Sequence, residues 1–257
     1  MSSINCVLGI EICGGDAVIK KCDIKGCTSS GLVFRSSTSR SMVSNARIED
    51  CHDGISCMQG SIVNVSNCII TRCGGSGITA EHHCNILIDQ STIEVVNEHF
   101  VSLAEFCFAK LSKCAFRAAV GGGVVVKPRS SLAVHDSSIL ECGGAGVESA
   151  GKVSMSSTSC SHNSSGVVLL QLSEAQFTNC IFAGNNLAGV WSIGDACDVR
   201  SCVFEGNRCC AYTAGKNTKF VEENCSLLAN GSTSSFLVWK TGKRSVAVQV
   251  ACSLRLT

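Results

Sequence analysis

The sequence predicts an all-β solenoid, and three observations support this fold class. A glycine followed by a branched apolar residue recurs about every 23 residues, from Gly31-Leu32 to Gly189-Val190. Between these glycines, apolar and polar residues alternate with a period of two, as β-strands require. The segments are rich in Ser, Gly, Val and Cys and poor in strong helix formers. A period in the low twenties through the whole chain indicates stacked units, each burying its apolar face against its neighbours.

Each coil is predicted to contain three short strands, because alignment on the glycine beat produces columns of like residues. The first strand carries an apolar ladder: Ile19, Met42, Val65, Ile88, Leu111, Val134, Phe177 and Val199. A column of small thiols follows: Cys22, Cys68, Cys114, Cys180, Cys202 and Cys225. The second strand carries another ladder: Ile24, Ile70, Ile93, Phe116, Ile139, Phe182, Phe204 and Leu227. In the next turn, stacked thiols or amides satisfy one another: Cys27, Cys73, Cys142, Asn185, Asn207 and Asn230. The third strand begins at the glycine beat.

Two coils depart from the regular step, and both departures are predicted to lie in turns. In the second coil, Ala46 and Cys51 stand one place late, which implies a turn shortened by one residue before Gly54. The coil that ends at Gly166 lacks three residues upstream, so Val153 is predicted to belong to its first strand.

A right-handed, single-stranded parallel β-helix of about ten coils fits these columns best. Leucine-rich repeats share the period, but their strand motif is absent, and left-handed hexapeptide helices would show a shorter repeat. We therefore assign residues 1–238 to the β-helix repeats and residues 239–257 to a C-terminal strand or cap.

Composition and charge argue against several classes of function. The formal net charge is +1, no basic run is present and there is one tyrosine, so nucleic acid is not an expected partner. No apolar stretch is long enough to span a membrane, and the first residues lack the pattern of a secretory leader. Because 45% hydrophobic residues supply a core, the 20 cysteines are predicted to be reduced thiols of a cytoplasmic protein.

Two segments resemble a known superfamily. Residues 67–78 (NCIITRCGGSGI) and residues 179–190 (NCIFAGNNLAGV) resemble the parallel β-helix repeats of the pectin-lyase-like superfamily. Their cysteine-rich character is similar to the carbohydrate-binding and sugar-hydrolase-type β-helices of F-box proteins and Shc SH2-domain-binding-like proteins. The resemblance implies the fold. For an enzyme, it also implies carboxylates with Arg or Lys on the outer face of adjacent coils, acting on acidic polysaccharides.

The catalytic signatures of that superfamily are not found in the sequence. The polygalacturonase segments Asn-Thr-Asp, Asp-Asp, Gly-His-Gly and Arg-Ile-Lys are absent. Lys127-Pro128-Arg129 matches only a fragment of the pectate-lyase arginine motif. We therefore expect no catalytic residues, no cofactor, no paired outward carboxylates and no aromatic platform for sugars.

The densest acidic group contains Glu49, Asp50 and Asp53, with His52 among them. Read functionally, this group holds a metal ion or an acid–base pair, since carboxylates at short spacing suit both roles. Read structurally, it is a solvated turn, which is the favoured interpretation.

A second cluster has ligand types that suit zinc. His82, His83 and Cys84 adjoin a turn, and Cys107 follows Cys84 by one coil. Because twenty cysteines place some thiols in register by chance, core packing is favoured over a metal or redox role. The adjacent thiols Cys209-Cys210 are predicted to be the more reactive ones because they lie at a turn.

Two strands near the C-terminus are apolar on both faces, at residues 167–170 and 236–239. Alternation turns one set of their side chains, and two residues between them, outward as a stripe: Val168, Leu170, Trp191, Ile193, Phe236 and Val238. Contiguous exposed apolar surface usually marks an interaction site, and Trp is common in binding hot spots. Either a partner or the chain's own residues 245–252 are expected to cover this stripe.

These observations together predict a non-catalytic β-helix that serves as a rigid interaction module in a cytoplasmic assembly, such as a cytoskeletal or ubiquitin-ligase complex. Repeat-like sequence starts within the first dozen residues, so another protein chain or domain is expected to cover the N-terminal coil. The alternative is a carbohydrate-active enzyme or a glycan-binding module.

Overall fold

The computed structural model describes residues 2–3, 6–35, 40–215 and 218–231, and these residues form three parallel β-sheets that wind into one solenoid. The strands are β1 (Ser2–Ser3), β2 (Ile10–Ile12), β3 (Val18–Lys20), β4 (Asp23–Lys25), β5 (Ser30–Arg35), β6 (Arg40–Ser44), β7 (Arg47–Glu49), β8 (Asp53–Met58), β9 (Ile62–Ser66), β10 (Ile69–Cys73), β11 (Ile78–Ala80), β12 (Asn85–Asp89), β13 (Thr92–Val96), β14 (Val101–Leu103), β15 (Phe108–Ser112), β16 (Ala115–Ala119), β17 (Val124–Val126), β18 (Ser131–His135), β19 (Ser138–Cys142), β20 (Ala145–Ser149), β21 (Lys152–Ser156), β22 (Ser159–Ser161), β23 (Ser165–Leu169), β24 (Glu174–Thr178), β25 (Ile181–Ala183), β26 (Ala188–Ser192), β27 (Ala196–Arg200), β28 (Val203–Glu205), β29 (Cys210–Ala214), β30 (Lys219–Glu223) and β31 (Ser226–Leu228).

Every third strand belongs to the same sheet, so the first sheet begins with β1, the second with β2 and the third with β3. Each strand pairs in parallel with its equivalents one coil before and one coil after. The predicted all-β solenoid is confirmed, with nine complete coils in the described residues where the glycine beat predicts about ten. No helix in the part of the chain that the structure describes is long and apolar enough to cross a membrane.

The interior of the solenoid is a continuous apolar core. In β12, Ile86 and Ile88 are buried while the residues between and beside them face outward, as the period of two predicts. Aromatic rings stack along the later coils, with Phe182 and Phe204 centroids 5.1 Å apart. Such ring pairs add about 0.5–1.5 kcal/mol each beyond their buried area.

Glycine is required at the beat because successive coils approach closely there. A Cβ atom on Gly77 would lie 2.5 Å from Ile93 Cγ2 and 2.7 Å from the carbonyl oxygen of Phe100, both in the next coil. No side chain fits at these distances. The beat therefore records steric contact between coils, which is why it reports the length of a coil so well.

The turn from the third to the first sheet confirms the predicted thiol column. Asn67 takes a left-handed conformation with φ 52°, and the buried Cys68 that follows donates its thiol to the Ser66 carbonyl at 3.2 Å. The amide of Cys68 donates to the hydroxyl of Ser91, one coil later, at 3.1 Å. Small polar groups at this position therefore satisfy the backbone of a tight turn from inside.

The predicted stack of amides is also confirmed. Asn185 donates its side-chain amide to Asn207 Oδ1 at 2.8 Å, and Asn207 donates to Asn230 Oδ1 at 2.8 Å. Asn163, which occupies the same turn, receives this pattern through its backbone amide, which donates to Asn185 Oδ1 at 3.0 Å. The ladder links four successive coils between the first and second sheets.

One member of the predicted first-strand ladder is wrong. Met42 faces outward and Val43 occupies the core, because Val43 and not Met42 pairs with Ile19 and Val65. A shift of one residue turns a strand side chain to the opposite face. The irregular spacing of the second coil therefore begins before β6, and the shortened turn before Gly54 returns the chain to register.

The short coil is as predicted, with its missing residues in turns. Val153 lies in β21 and pairs with Leu132. The step between equivalent residues is 23 for Val126 and Ser149, and 20 by the time that Val147 meets Val167.

Candidate functional site

A groove crosses the outer face of the third sheet. It has a volume of about 650 Å³ and is lined by residues of β15, β18, β21, β24, β27 and β30. Strand alternation builds it: Ala175 and Phe177 point into the core from β24, so Glu174 and Gln176 face the groove. With neighbouring strands about 4.8 Å apart, six strands give a length of roughly 24 Å.

Charged side chains of both signs line this groove. Lys152 and Glu174 form a salt bridge of 3.1 Å between β21 and β24. Arg200 on β27 lies 2.9 Å from Asp198, and its pKa is raised by the hydrogen bond with that carboxylate. Lys219 on β30 also lines the groove, and it forms no salt bridge with the residues that the structure describes. The three cations exceed the two carboxylates, which favours an anionic ligand.

The two carboxylates correct the expectation that no paired outward acids exist. Gln176 is the register partner of Asp198, so Glu174 and Asp198 hold diagonal positions on adjacent strands. Such positions are about 7–8 Å apart. The signal in the sequence was the outward phase of the two strands. A search confined to known catalytic motifs missed it.

The acidic group at residues 49–53 is neither an acid–base pair nor a solvated turn as a whole. Glu49 is 3% exposed and forms salt bridges with Lys25, Arg47 and Arg72. Hydrogen bonds from Lys25 and Arg47 lower the pKa of Glu49 to about 2, against the opposing effect of burial. A carboxylate held in its charged form by three cations is suited to structure and not to proton transfer.

The other acidic residues of that group are also engaged. Asp50 accepts hydrogen bonds from Arg72, which lower its pKa. Asp53 accepts a hydrogen bond from the backbone amide of Ser76 at 2.8 Å. His52 is exposed. The described residues contain no group of three His, Cys, Asp or Glu side chains able to hold a metal ion.

The structure places the histidines and thiols of the second cluster on opposite sides of the wall. Cys84 and Cys107 are buried and stacked, with the Cys84 amide donating to Cys107 Sγ at 3.3 Å. His82 is exposed and lies 2.8 Å from Glu105. The exposed His83 ring stacks on Phe106 at 4.9 Å. The four residues do not converge, and their suggested metal role stays untested.

Arg129, from the fragment of the arginine motif, extends this surface stack. Its guanidinium lies 5.3 Å from the centre of the Phe106 ring, so it makes a cation–π contact on the turn that precedes the groove.

The later thiol column lies inside the core, as predicted. The Cys180 amide donates to Cys202 Sγ at 3.4 Å, and Cys180 and Cys202 are buried, whereas Cys225 at the end of the described coils is half-buried. The hydrogen bond with Cys180, together with burial, raises the pKa of Cys202 to about 11. At the adjacent turn, Cys209 is exposed and Cys210 is half-buried, and burial raises the pKa of Cys210.

Four members of the predicted apolar stripe lie together on the second sheet. They line a depression of about 250 Å³: Val168, Leu170, Trp191 and Ile193. Trp191 and Ile193 are 45% and 47% exposed. Phe236 and Val238 lie outside the described residues. The outward orientation of the four is thus observed, and their role as an interface remains a prediction, as does a covering partner at the N-terminal coil.

Comparison with protein families decides the relationship of this chain. The family described as "right handed beta helix region" matches residues 2–107 and 85–248. The chain belongs to the right-handed β-helix family. The predicted handedness of the solenoid is thereby confirmed, while no curated protein matches the sequence significantly.

Solved β-helix structures resemble this member of the family. A double mutant of the periplasmic alginate epimerase AlgG superposes with a TM-score of 0.72 at 12% identity, covering 82% of this chain and 60% of the epimerase. The A-module of Azotobacter vinelandii mannuronan C-5 epimerase AlgE4 gives 0.64 at 9% identity, covering 86% and 76%. Pectate lyase Pel9A gives 0.52 at 12% identity, covering 88% and 72%. The chain thus spans less than two thirds of the AlgG epimerase, and the likeness establishes a pectin-lyase-like fold.

These relatives overturn the prediction of a non-catalytic interaction scaffold. The solved structures with this fold are epimerases and lyases of polysaccharides, which favours the alternative of a carbohydrate-active protein. The fold is that of an enzyme family, although identities of 9–12% do not identify catalytic residues in this chain. The F-box and Shc resemblance gains no support from the comparisons.

Proposed function

We propose that this β-helix is a carbohydrate-active protein that binds an extended acidic polysaccharide along the third-sheet groove. The observation that carries the proposal is the groove itself, which crosses six coils and presents cations and carboxylates in register. A length of roughly 24 Å accommodates several sugar units of a linear polysaccharide. The epimerases and lyases that share the fold support this class of ligand.

The groove supplies the groups that an acidic saccharide requires. Lys152, Arg200 and Lys219 neutralise uronate carboxylates, and Arg200 can do so with two parallel hydrogen bonds. Gln176 and Ser154 provide hydrogen bonds for sugar hydroxyls. These five side chains project from one face, so they contact the same side of a ligand.

Glu174 and Asp198 are the candidate acid–base pair. Carboxyl groups separated by about 6.5–9.5 Å suit hydrolysis with inversion, and the diagonal spacing of this pair falls in that range. A carboxylate beside a cation also suits proton abstraction next to a neutralised uronate carboxyl group, the first step shared by lyases and epimerases. Cleavage or epimerisation therefore uses Asp198 or Glu174 as base, with the lysines holding the substrate carboxylate.

Binding of defined oligosaccharides tests the proposal directly. Calorimetry with oligomannuronate and oligogalacturonate should give saturable binding, and the double variant K152E/K219E should weaken it at least tenfold, about 1.4 kcal/mol. K20E is the matched control, because Lys20 is an exposed lysine of the same sheet in the first complete coil. Equal affinities for K152E/K219E and the wild type would contradict the groove as the binding site.

Turnover is tested on the same ligands. A lyase produces an unsaturated sugar that absorbs in the ultraviolet, an epimerase changes the C5 signals in proton NMR, and a hydrolase releases reducing ends. D198N and E174Q should each lower the observed rate at least a hundredfold while leaving binding nearly intact, because acid–base catalysis contributes about 10²–10⁴. Binding without any of the three products would restrict the function to glycan recognition.

A further inference from the structure

A Ser–His–Asp cluster lies at the end of β18 and β21, outside the lining of the groove. His135 Nδ1 is 2.8 Å from Ser156 Oγ, and His135 Nε2 is 3.0 Å from Asp136 Oδ2. His135 and Ser156 are register partners on neighbouring strands, so the coil repeat itself brings them together. His135 and Asp136 are exposed and Ser156 is half-buried, which leaves the cluster accessible to a ligand.

The hydrogen bonds determine which tautomer the neutral imidazole takes. A carboxylate only accepts, so the bond with Asp136 places the ring proton on Nε2. Nδ1 is then an acceptor, and the hydroxyl of Ser156 donates to it. A neutral histidine held in this way can remove the proton of the serine hydroxyl, and the carboxylate stabilises the imidazolium that results.

From this geometry we propose a second activity, the hydrolysis of short carboxylic esters with Ser156 as the nucleophile. Ser156 Oγ bonds to the acyl carbon while its proton moves to His135 Nδ1, and that proton leaves with the departing alcohol. Water then adds to the acyl-serine, giving its proton to His135, and the carboxylic acid departs as Ser156 recovers its proton. Asp136 is a positioning residue, since it contacts His135 and not the ester.

A depression beside the cluster provides room for the acyl group. Asp136 lies on its rim, its volume is about 580 Å³, and small side chains such as Ser138 and Ser159 line it. Lys113 and Asn179 line the same depression and offer N–H donors for the oxyanion that forms at the acyl carbon. The site therefore suits a short acyl group and an exposed alcohol.

The alcohol can be a sugar hydroxyl, a step that rests on the proposed function. Ser154, which lines the groove, precedes Ser156 by two residues on β21, so both side chains project from the same face. An acylated saccharide in the groove would bring its ester close to Ser156. The substrate class is thus an O-acylated acidic saccharide.

Two probes that contain no sugar test the nucleophile separately from glycan binding. The wild-type protein should react with a fluorophosphonate at Ser156, identified by peptide mass spectrometry, and should hydrolyse p-nitrophenyl acetate. S156A should lose both signals, at least a hundredfold in rate. S66A should keep both, because Ser66 has the equivalent position at the end of β9 and its register partners are Ser44 and Asp89. An unlabelled, inactive wild type, or label that persists in S156A, would overturn the proposal.

The role of Asp136 is tested by how a substitution divides between kcat and KM. D136N should lower kcat for p-nitrophenyl acetate at least tenfold with little change in KM, and D136E should recover part of the rate. A change in KM alone, or equal loss in both variants, would refute a positioning role. Acetate release from an O-acetylated oligouronide, compared between S156A and wild type, then decides whether the ester is carried by a saccharide.

Discussion

Glu49 shows how a charged residue can belong to the structural frame of an outer face. It lies on β7 with its carboxylate buried beneath Lys25, Arg47 and Arg72. Each cation keeps much of its side chain in water, with 44–47% exposed, whereas Glu49 is almost fully covered. The carboxylate therefore depends on these three partners for the hydrogen bonds that water would otherwise supply.

E49Q should lower the free energy of unfolding by about 2 kcal/mol at pH 7, because hydrogen bonds to a charged group are lost. The pKa of Glu49 is about 2 in the folded protein and 4.5 ordinarily, so its stabilisation is complete above about pH 4.5. That stabilisation is lost as the pH falls through about 2. Urea denaturation at a series of pH values should show the gap between wild type and E49Q closing on acidification.

The control for this substitution is E205Q. Glu205 ends β28 at the equivalent position of a later coil, where it is exposed and has no salt bridge with a described residue. Exposed substitutions of this kind usually change stability by less than about 0.5 kcal/mol. A pH-independent gap for E49Q would show that the ion cluster is not its source.

The cysteines should divide sharply by reactivity. Burial raises the pKa of Cys57 well above its ordinary value and that of Cys73 to about 12, which removes the reactive thiolate at neutral pH. Cys13 and Cys209 are exposed. Iodoacetamide at pH 7.5, followed by peptide mass spectrometry, should label these two within minutes and Cys57 only after unfolding. Rapid alkylation of Cys57 in the native protein would contradict the buried column.

At the scale of the element, the asparagine ladder is the interaction with the most to lose from one change. The backbone amide of Asn163 donates to Asn185 Oδ1, and Asn185 Nδ2 donates to the Cys160 carbonyl at 3.1 Å. N185A should leave both buried groups without a partner and cost about 2–4 kcal/mol, measured by chemical denaturation.

The matched control is N186A. Asn186 follows directly in the same turn, but its side chain is exposed and forms no hydrogen bond with the described residues. Its loss should change stability by less than about 0.5 kcal/mol. Similar losses for N185A and N186A would attribute the effect to the turn backbone and not to the ladder.

The strands were predictable where a residue's face follows from period-two alternation and coil length is constant. Cys68 and Asn185 were placed correctly because a tight turn admits small polar side chains pointing inward. Met42 was misplaced because the step into β6 is 24 residues between Val18 and Met42, whereas the glycine beat remains 23 there. The beat measures the second sheet only, and it is blind to compensating changes in the turns between glycines.

At the scale of the whole molecule, the groove exists only because six coils align their outward side chains. Lys152 and Lys219 are 67 residues apart in sequence and line the same depression. Two such cations acting on one anionic ligand make the interaction sensitive to screening.

Raising the salt concentration from 50 to 500 mM should therefore weaken oligouronide binding by roughly tenfold, because the screening length falls about threefold. Calorimetry at both salt concentrations measures the change. K152E/K219E should show a flatter dependence than K20E. Binding independent of salt would mean that hydroxyl contacts and not charges dominate recognition.

The sequence by itself determined the coil. Period, alternation and small turn residues are local consequences of strand geometry and of close contact between adjacent coils, and Gly77 and Cys68 could be placed by these alone. Only the tertiary structure decided which outward residues meet. Glu174 with Asp198, and His135 with Ser156, become neighbours through register summed over several turns of unequal length. Function depends on those pairings because chemistry needs groups within a few ångströms, and a one-residue change in any turn would exchange one outward face for another.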